Sequence, residues 1–107
     1  MGARHLGMAE FVDLYDDRTV VVDVREAAEY VAGHVPGAIF APMSRIALHL
    51  ASLPRDKAVH VICATGNRSG SMADLMVAQG IDAISIDGGT QAWVAAGQPL
   101  VEGREPR

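Results

Sequence analysis

The chain carries one cysteine, Cys63, at the head of the segment Cys63-Ala64-Thr65-Gly66-Asn67-Arg68-Ser69. Three features make it a candidate nucleophile. It directly follows the apolar run Val59-His60-Val61-Ile62. It precedes Gly66, which can take a positive φ where a Cβ would clash. A helical pattern opens a few residues later, near Ser69. A loop of this kind can wrap a central point with its backbone N–H groups facing inward, as anion-binding nests do. The helix N-terminus adds partial positive charge and Arg68 a full one. Together they favour thiolate over thiol, against an ordinary pKa of about 8.5. The same cradle suits a bound anion: a persulfide, a sulfonate-like group or an oxyanion. The plain alternative is an inert, buried small hydrophobe, the usual role of a lone cysteine at a strand end. The glycine, the arginine, the small polar residues and the following helix weigh against it.

Within the loop, Arg68 is expected to orient an anionic donor, or else to form a surface salt bridge. Ala64, Thr65, Gly66 and Asn67 are expected to bind substrate, chiefly through backbone N–H groups. Ser69 belongs to the same binding set, although capping the helix is its more ordinary role. Asp23 and Arg25 follow an earlier strand and read as a buried pair or as ties between loops. His34 reads as a loop anchor rather than a general base. His49, in a helix, and His60, in a strand, have no motif partner. Trp93 reads mainly as core.

These residues need a frame. Residues 8–15 place Met8, Phe11, Val12 and Tyr15 on one helical face. Thr19 to Val24 is a continuous β-branched run, as buried parallel strands favour. Residues 26–32 read as helix, ended by Gly33. His34-Val35-Pro36-Gly37 is a turn, and Ala38 to Ala41 a short strand. Ser44 is placed to cap a helix to about Ser52, stopped by Pro54. Val59–Ile62 is a strand. Ser69–Gln79 is a helix with Met72, Leu75, Met76 and Gln79 at helical spacing and Gly80 just past its end. Ala83–Ile86 is another strand, Asp87-Gly88-Gly89 a close turn, and Thr90 caps a last helix stopped at Gly97. Strands alternating with helices predict an α/β domain: a mainly parallel central sheet of about four to five strands with helices on both faces. In such folds ligands bind at the carboxyl ends of strands, where Cys63 lies.

The 107 residues make one domain, 1–107, with a core of about 8–102 and flexible ends at 1–7 and 103–107. Half the residues are hydrophobic and few are aromatic, so the interior is built from aliphatic side chains. The formal net charge of −4 comes without a basic block, which argues against a nucleic-acid surface. One cysteine allows no internal disulfide and no CxxC zinc or dithiol site, and it suits a reducing compartment. No apolar run has the length of a signal peptide core or of a membrane span of about 18 residues. A soluble, cytoplasmic protein is expected, with no membrane partner.

Three further stretches, taken with the cysteine loop, resemble the rhodanese family of sulfurtransferases over about residues 8 to 102. They are Asp23-Val24-Arg25-Glu26 with Glu29-Tyr30, then Gly33-His34-Val35-Pro36-Gly37-Ala38, then Asp87-Gly88-Gly89-Thr90-Gln91-Ala92-Trp93 with Gly97 and Pro99 beyond. The resemblance implies a rhodanese-like fold and a persulfide cycle with ping-pong kinetics. Cys63 would take sulfane sulfur from a small-molecule donor, thiosulfate by preference. It would then pass that sulfur to cyanide, a thiol or a protein acceptor, with no cofactor and no metal. Two other readings stay open. One is a rhodanese-like protein-binding or regulatory module. The other is a cysteine-dependent phosphatase or arsenate reductase. The phosphatase signature places five residues between Cys and Arg, whereas four separate Cys63 from Arg68 and Ser69 stands where that Arg would be.

Overall fold

The computed structural model describes residues 2–107. Five strands run in chain order: β1 (Arg4–Leu6), β2 (Val20–Asp23), β3 (Ile39–Phe40), β4 (Val59–Ile62) and β5 (Ala83–Ile86). The helices between them are α1 (Met8–Leu14), α2 (Ala27–Ala32), α3 (Asn67–Ala78) and α4 (Gly89–Ala95). The sheet has the order β1-β5-β4-β2-β3 and every pairing is parallel. The α/β reading therefore holds, with the sheet wholly rather than mainly parallel.

The strands are apolar on both faces because both faces are covered. Alternate residues sort into two cores. Val22, Val59, Val61 and Ala83 pack with Ala73 and Met76 of α3 and with Ile46 and Leu53. Val21, Ile62 and Ile86 pack on the other face with Phe11 of α1, Tyr30 of α2 and Trp93 of α4. Phe11 and Trp93 are fully buried, with ring centroids 5.5 Å apart. Period-two alternation of side chains across a strand divides these runs between the layers. Among the described residues, no helix is long and apolar enough to cross a membrane.

One local expectation is corrected. The helix placed from Ser44 to Ser52 is two 3₁₀ turns, Met43–Leu48 and Leu50–Ser52. Arg45 leaves helical geometry (φ −133°, ψ 24°). Ser44, instead of capping, donates its hydroxyl to Glu26 at 2.6 Å. At the sheet edge Arg4-His5-Leu6 pairs with Ile84-Ser85-Ile86. The C-terminal residues also make backbone hydrogen bonds. Pro106 O accepts the Gly37 N–H at 2.8 Å, Val31 O accepts the Gly103 N–H at 2.9 Å, and His34 exchanges backbone hydrogen bonds with Val101. Met1 lies outside the described residues.

β2 leads outward to β3, while β4, on its other side, leads to β5. The two connections part at the carboxyl ends of β2 and β4, which makes a crevice there. Asp23 closes one strand and Cys63 follows the other.

Candidate active site

Cys63 sits at the base of this crevice, 1% exposed. Gly66, with φ +113°, turns the loop back so that its N–H donates to Cys63 Sγ at 3.1 Å. α3 starts at Asn67, two residues earlier than its periodicity predicts, because Gly66 closes the turn at once. Ser69 therefore lies inside the first helical turn rather than at its cap, fully buried beneath the sulfur. Its Oγ is 3.5 Å from Sγ and 3.1 Å from Gly66 O.

Burial pushes the Cys63 thiol up. The Ser69 hydroxyl and the N–H groups of Ser69, Gly66 and Thr65 pull it down more strongly, leaving it below its ordinary value. These donors stabilise the anion without a full charge in contact with it. Alkylation of Cys63 by iodoacetamide is therefore expected to titrate with a midpoint below that of a free cysteine peptide in the same buffer. A midpoint at or above that of a free cysteine peptide in the same buffer would refute it.

The outer wall of the loop is held by α4. Cys63 O accepts from the Thr90 N–H at 2.8 Å and from Thr90 Oγ1 at 3.0 Å. Ala64 O accepts from the Gln91 N–H at 3.1 Å. With its carbonyls drawn to α4, the loop can turn its N–H groups toward the sulfur. Gly89 makes this approach possible. A Cβ there would stand 2.5 Å from Cys63 O and 2.6 Å from Ala64 O, at φ +60°.

Arg68 points across the crevice to α2 and makes a bidentate pair with Glu29, at 2.7 and 2.8 Å. The salt-bridge reading describes what its guanidinium does in this structure. The Arg68 hydrogen bonds, opposed by partial burial, hold the Glu29 carboxyl down, from 4.5 to about 2. Asp23 and Arg25 form a buried pair at 2.8 Å, and Arg25 also donates to Gly33 O at 2.7 Å. An open cleft of about 430 Å³, lined by Arg25, Glu29, Ala64, Thr90, Gln91 and Val94, lies beside the loop.

A family model for the Rhodanese-like domain matches residues 8–96. The chain belongs to the rhodanese-like family. Among curated relatives it is 35% identical over 104 residues to the thiosulfate sulfurtransferase GlpE of Pseudoalteromonas translucida (strain TAC 125), a match covering 95% of this chain and 99% of that one. Among solved structures, a rhodanese-related protein from Thermoplasma volcanium superposes with a TM-score of 0.85 at 33% identity, covering 92% of this chain and 97% of that one. A thiosulfate sulfurtransferase from Pseudomonas aeruginosa gives 0.79 at 30% identity; it covers 95% of this chain, which matches 21% of that longer protein.

In this rhodanese-like site the loop residues divide by position. Ala64, Gly66 and Arg68 are partly exposed around the buried Cys63 and Ser69, whereas Thr65 and Asn67 are exposed. His34 is fully buried. It stacks on Tyr30 with centroids 3.7 Å apart, and its ring nitrogens lie 2.8 Å from Tyr30 O and 2.9 Å from Glu105 O. That is an anchor's environment. Glu29, Gly89 and Thr90 carry site functions that residue types alone did not reveal. The sequence cue was their place in the stretches that carry the family resemblance, Glu29 beside Tyr30 and Gly89-Thr90 in the close turn after Asp87.

The Glu29–Arg68 pair makes a charge prediction. Glu29→Gln removes one negative charge from the cleft wall and releases the guanidinium. The KM for a dianionic donor such as thiosulfate is expected to fall about two- to fivefold at low salt, with the effect shrinking as salt rises. Because the Glu29 pKa is depressed on folding, its contribution to stability is full above pH 4.5 and is lost as pH falls toward about 2. Acid titration of the variant should lack that component. An unchanged KM would refute the electrostatic reading.

Proposed function

We propose that this protein is a sulfurtransferase that carries sulfane sulfur as a persulfide on Cys63. The observation that bears most weight is a buried sulfur, below its ordinary pKa, held by backbone and hydroxyl donors in a loop braced from behind. The Cys63 thiolate attacks the outer sulfur of thiosulfate. The new S–S bond forms as the bond to the sulfonate group breaks, and the electron pair leaves with sulfite. The resulting persulfide anion occupies the cradle that favoured the thiolate. In the second half-reaction cyanide, or a thiolate in its place, attacks the outer sulfur. The bond to Cys63 Sγ breaks, thiocyanate (or, from a thiolate, the acceptor's persulfide) departs, and the Cys63 thiolate returns. No proton needs to move in either half. The family membership and the thiosulfate sulfurtransferase relatives support the same reading.

Geometry weighs against a phosphatase. Four residues separate Cys63 from Arg68, and the Arg68 guanidinium is engaged by Glu29 rather than turned into the loop. The test is intact-mass measurement after thiosulfate treatment, followed by cyanide. A gain of one sulfur atom, discharged as thiocyanate, is expected. Hydrolysis of an aryl phosphate with no such gain would overturn the proposal.

A further inference from the structure

β5 reads Ala83-Ile84-Ser85-Ile86, and all four residues are buried. Ser85 stands in register with Val61 on β4, on the face that α3 covers with Ala73 and Met76. A hydroxyl buried there costs stability unless it is hydrogen-bonded. Among the described residues its one side-chain partner is Ser69 Oγ, at 2.9 Å. Ser69 Oγ in turn reaches Gly66 O at 3.1 Å and Cys63 Sγ at 3.5 Å.

Counting protons gives this chain a direction. Each hydroxyl has one proton to donate. With its one partner in Ser69 Oγ, Ser85 keeps its own proton satisfied by donating there. The Ser69 proton then has two acceptors within reach, the Gly66 carbonyl and the sulfur. When Cys63 is a thiol, its S–H can point to Ser69 Oγ while Ser69 donates to Gly66 O. When the sulfur becomes anionic, the Ser69 proton can swing from the carbonyl to the sulfur. Gly66 O keeps the Gly70 N–H, at 3.3 Å.

We infer that Ser85 is a positioning residue for the sulfur chemistry: its hydroxyl holds Ser69 Oγ beneath Cys63, so that the Ser69 proton turns to the sulfur when the sulfur carries charge. Ser85 never touches the reacting atoms and acts through Ser69 alone. The inference rests on the sulfur-carrying role proposed above, but thiolate formation can be read without any transfer.

The experiment measures the pH dependence of Cys63 alkylation by iodoacetamide in the wild type, Ser69→Ala, Ser85→Ala, the double variant and Ser85→Thr. The charged groups facing the crevice, Arg25 with Asp23 and Arg68 with Glu29, are the same in all five. Ser85→Ala is expected to raise the midpoint and to slow alkylation about three- to tenfold at pH values below it, the scale of one hydrogen bond to an anion. The double variant should match Ser69→Ala, because Ser85 has no route to the sulfur except Ser69. Ser85→Thr keeps the hydroxyl on a strand that suits β-branched residues, and it should keep the wild-type midpoint. A midpoint unchanged in Ser85→Ala, or a further rise in the double variant over Ser69→Ala, overturns the inference. So does a Ser85→Thr midpoint raised to that of Ser69→Ala, a comparison that still stands if Ser85→Ala folds poorly. Failure of sulfur transfer in the wild type would instead strike the functional proposal and leave these midpoints to be read on their own.

Discussion

Cys63→Ser is expected to abolish both halves of the sulfur cycle, lowering thiocyanate formation by more than about a thousandfold. An alcohol does not ionise near neutral pH, so the N–H groups that stabilise a thiolate have no anion to act on. The variant should also show no mass gain after thiosulfate. Its fold should survive, because the buried oxygen still meets the Gly66 N–H and the Ser69 hydroxyl, and the change is a single atom at a site with 1% exposure. Circular dichroism and a denaturant midpoint close to wild type would separate lost chemistry from lost structure. Thiocyanate production at a rate near wild type, with the fold intact, would move the sulfur-carrying step away from this residue.

The second large effect is structural. Gly89→Ala puts a Cβ 2.5 Å from Cys63 O and 2.6 Å from the carbonyl of Ala64, where backbone and not a flexible side chain must yield. The position also has φ +60°, which L residues adopt at a cost of about 1–2 kcal/mol. Displacing packed backbone adds about 1–3 kcal/mol. A loss of about 2–5 kcal/mol is a large share of the roughly 5–15 kcal/mol that holds a domain together. The loop moves with it. Once Cys63 O is pushed off the Thr90 N–H and hydroxyl, the inward N–H groups lose their aim. Urea unfolding should show a lower midpoint, and alkylation of the folded variant should titrate closer to an ordinary thiol. A variant with wild-type midpoints in both would mean that α4 does not brace the loop.

The parts of the fold written in local patterns were legible. β4 and β5 fall where their apolar runs end, and Cys63 follows β4 as the Val59–Ile62 run predicts. α3 was legible from its periodicity except at its start, which depends on how sharply Gly66 turns. What residue types did not reveal depends on distant partners. Arg4-His5-Leu6 looks polar and short, because an edge strand draws its hydrogen bonds from β5, about eighty residues away. Ser44 looks like a cap until Glu26 takes its hydroxyl. Residue types favour Arg68 as a donor-orienting group over a salt bridge, because its partner Glu29 lies 39 positions away in sequence. Asp23 and Arg25 were legible as a buried pair because they are two residues apart on one strand end.

The edge pairing of β1 with β5, and the hold of α4 on the cysteine loop, bear on how the protein is made. Synthesis delivers the N-terminal residues first. When Cys63 has been added, its bracing residues Thr90 and Gln91 do not yet exist, and neither does the strand beside which β1 must lie. Contacts so far apart along the chain form late and slowly. In the unfinished polypeptide Cys63 is thus an ordinary thiol on an unshaped segment. Its pKa falls below the ordinary value only when the last third of the chain has arrived and docked.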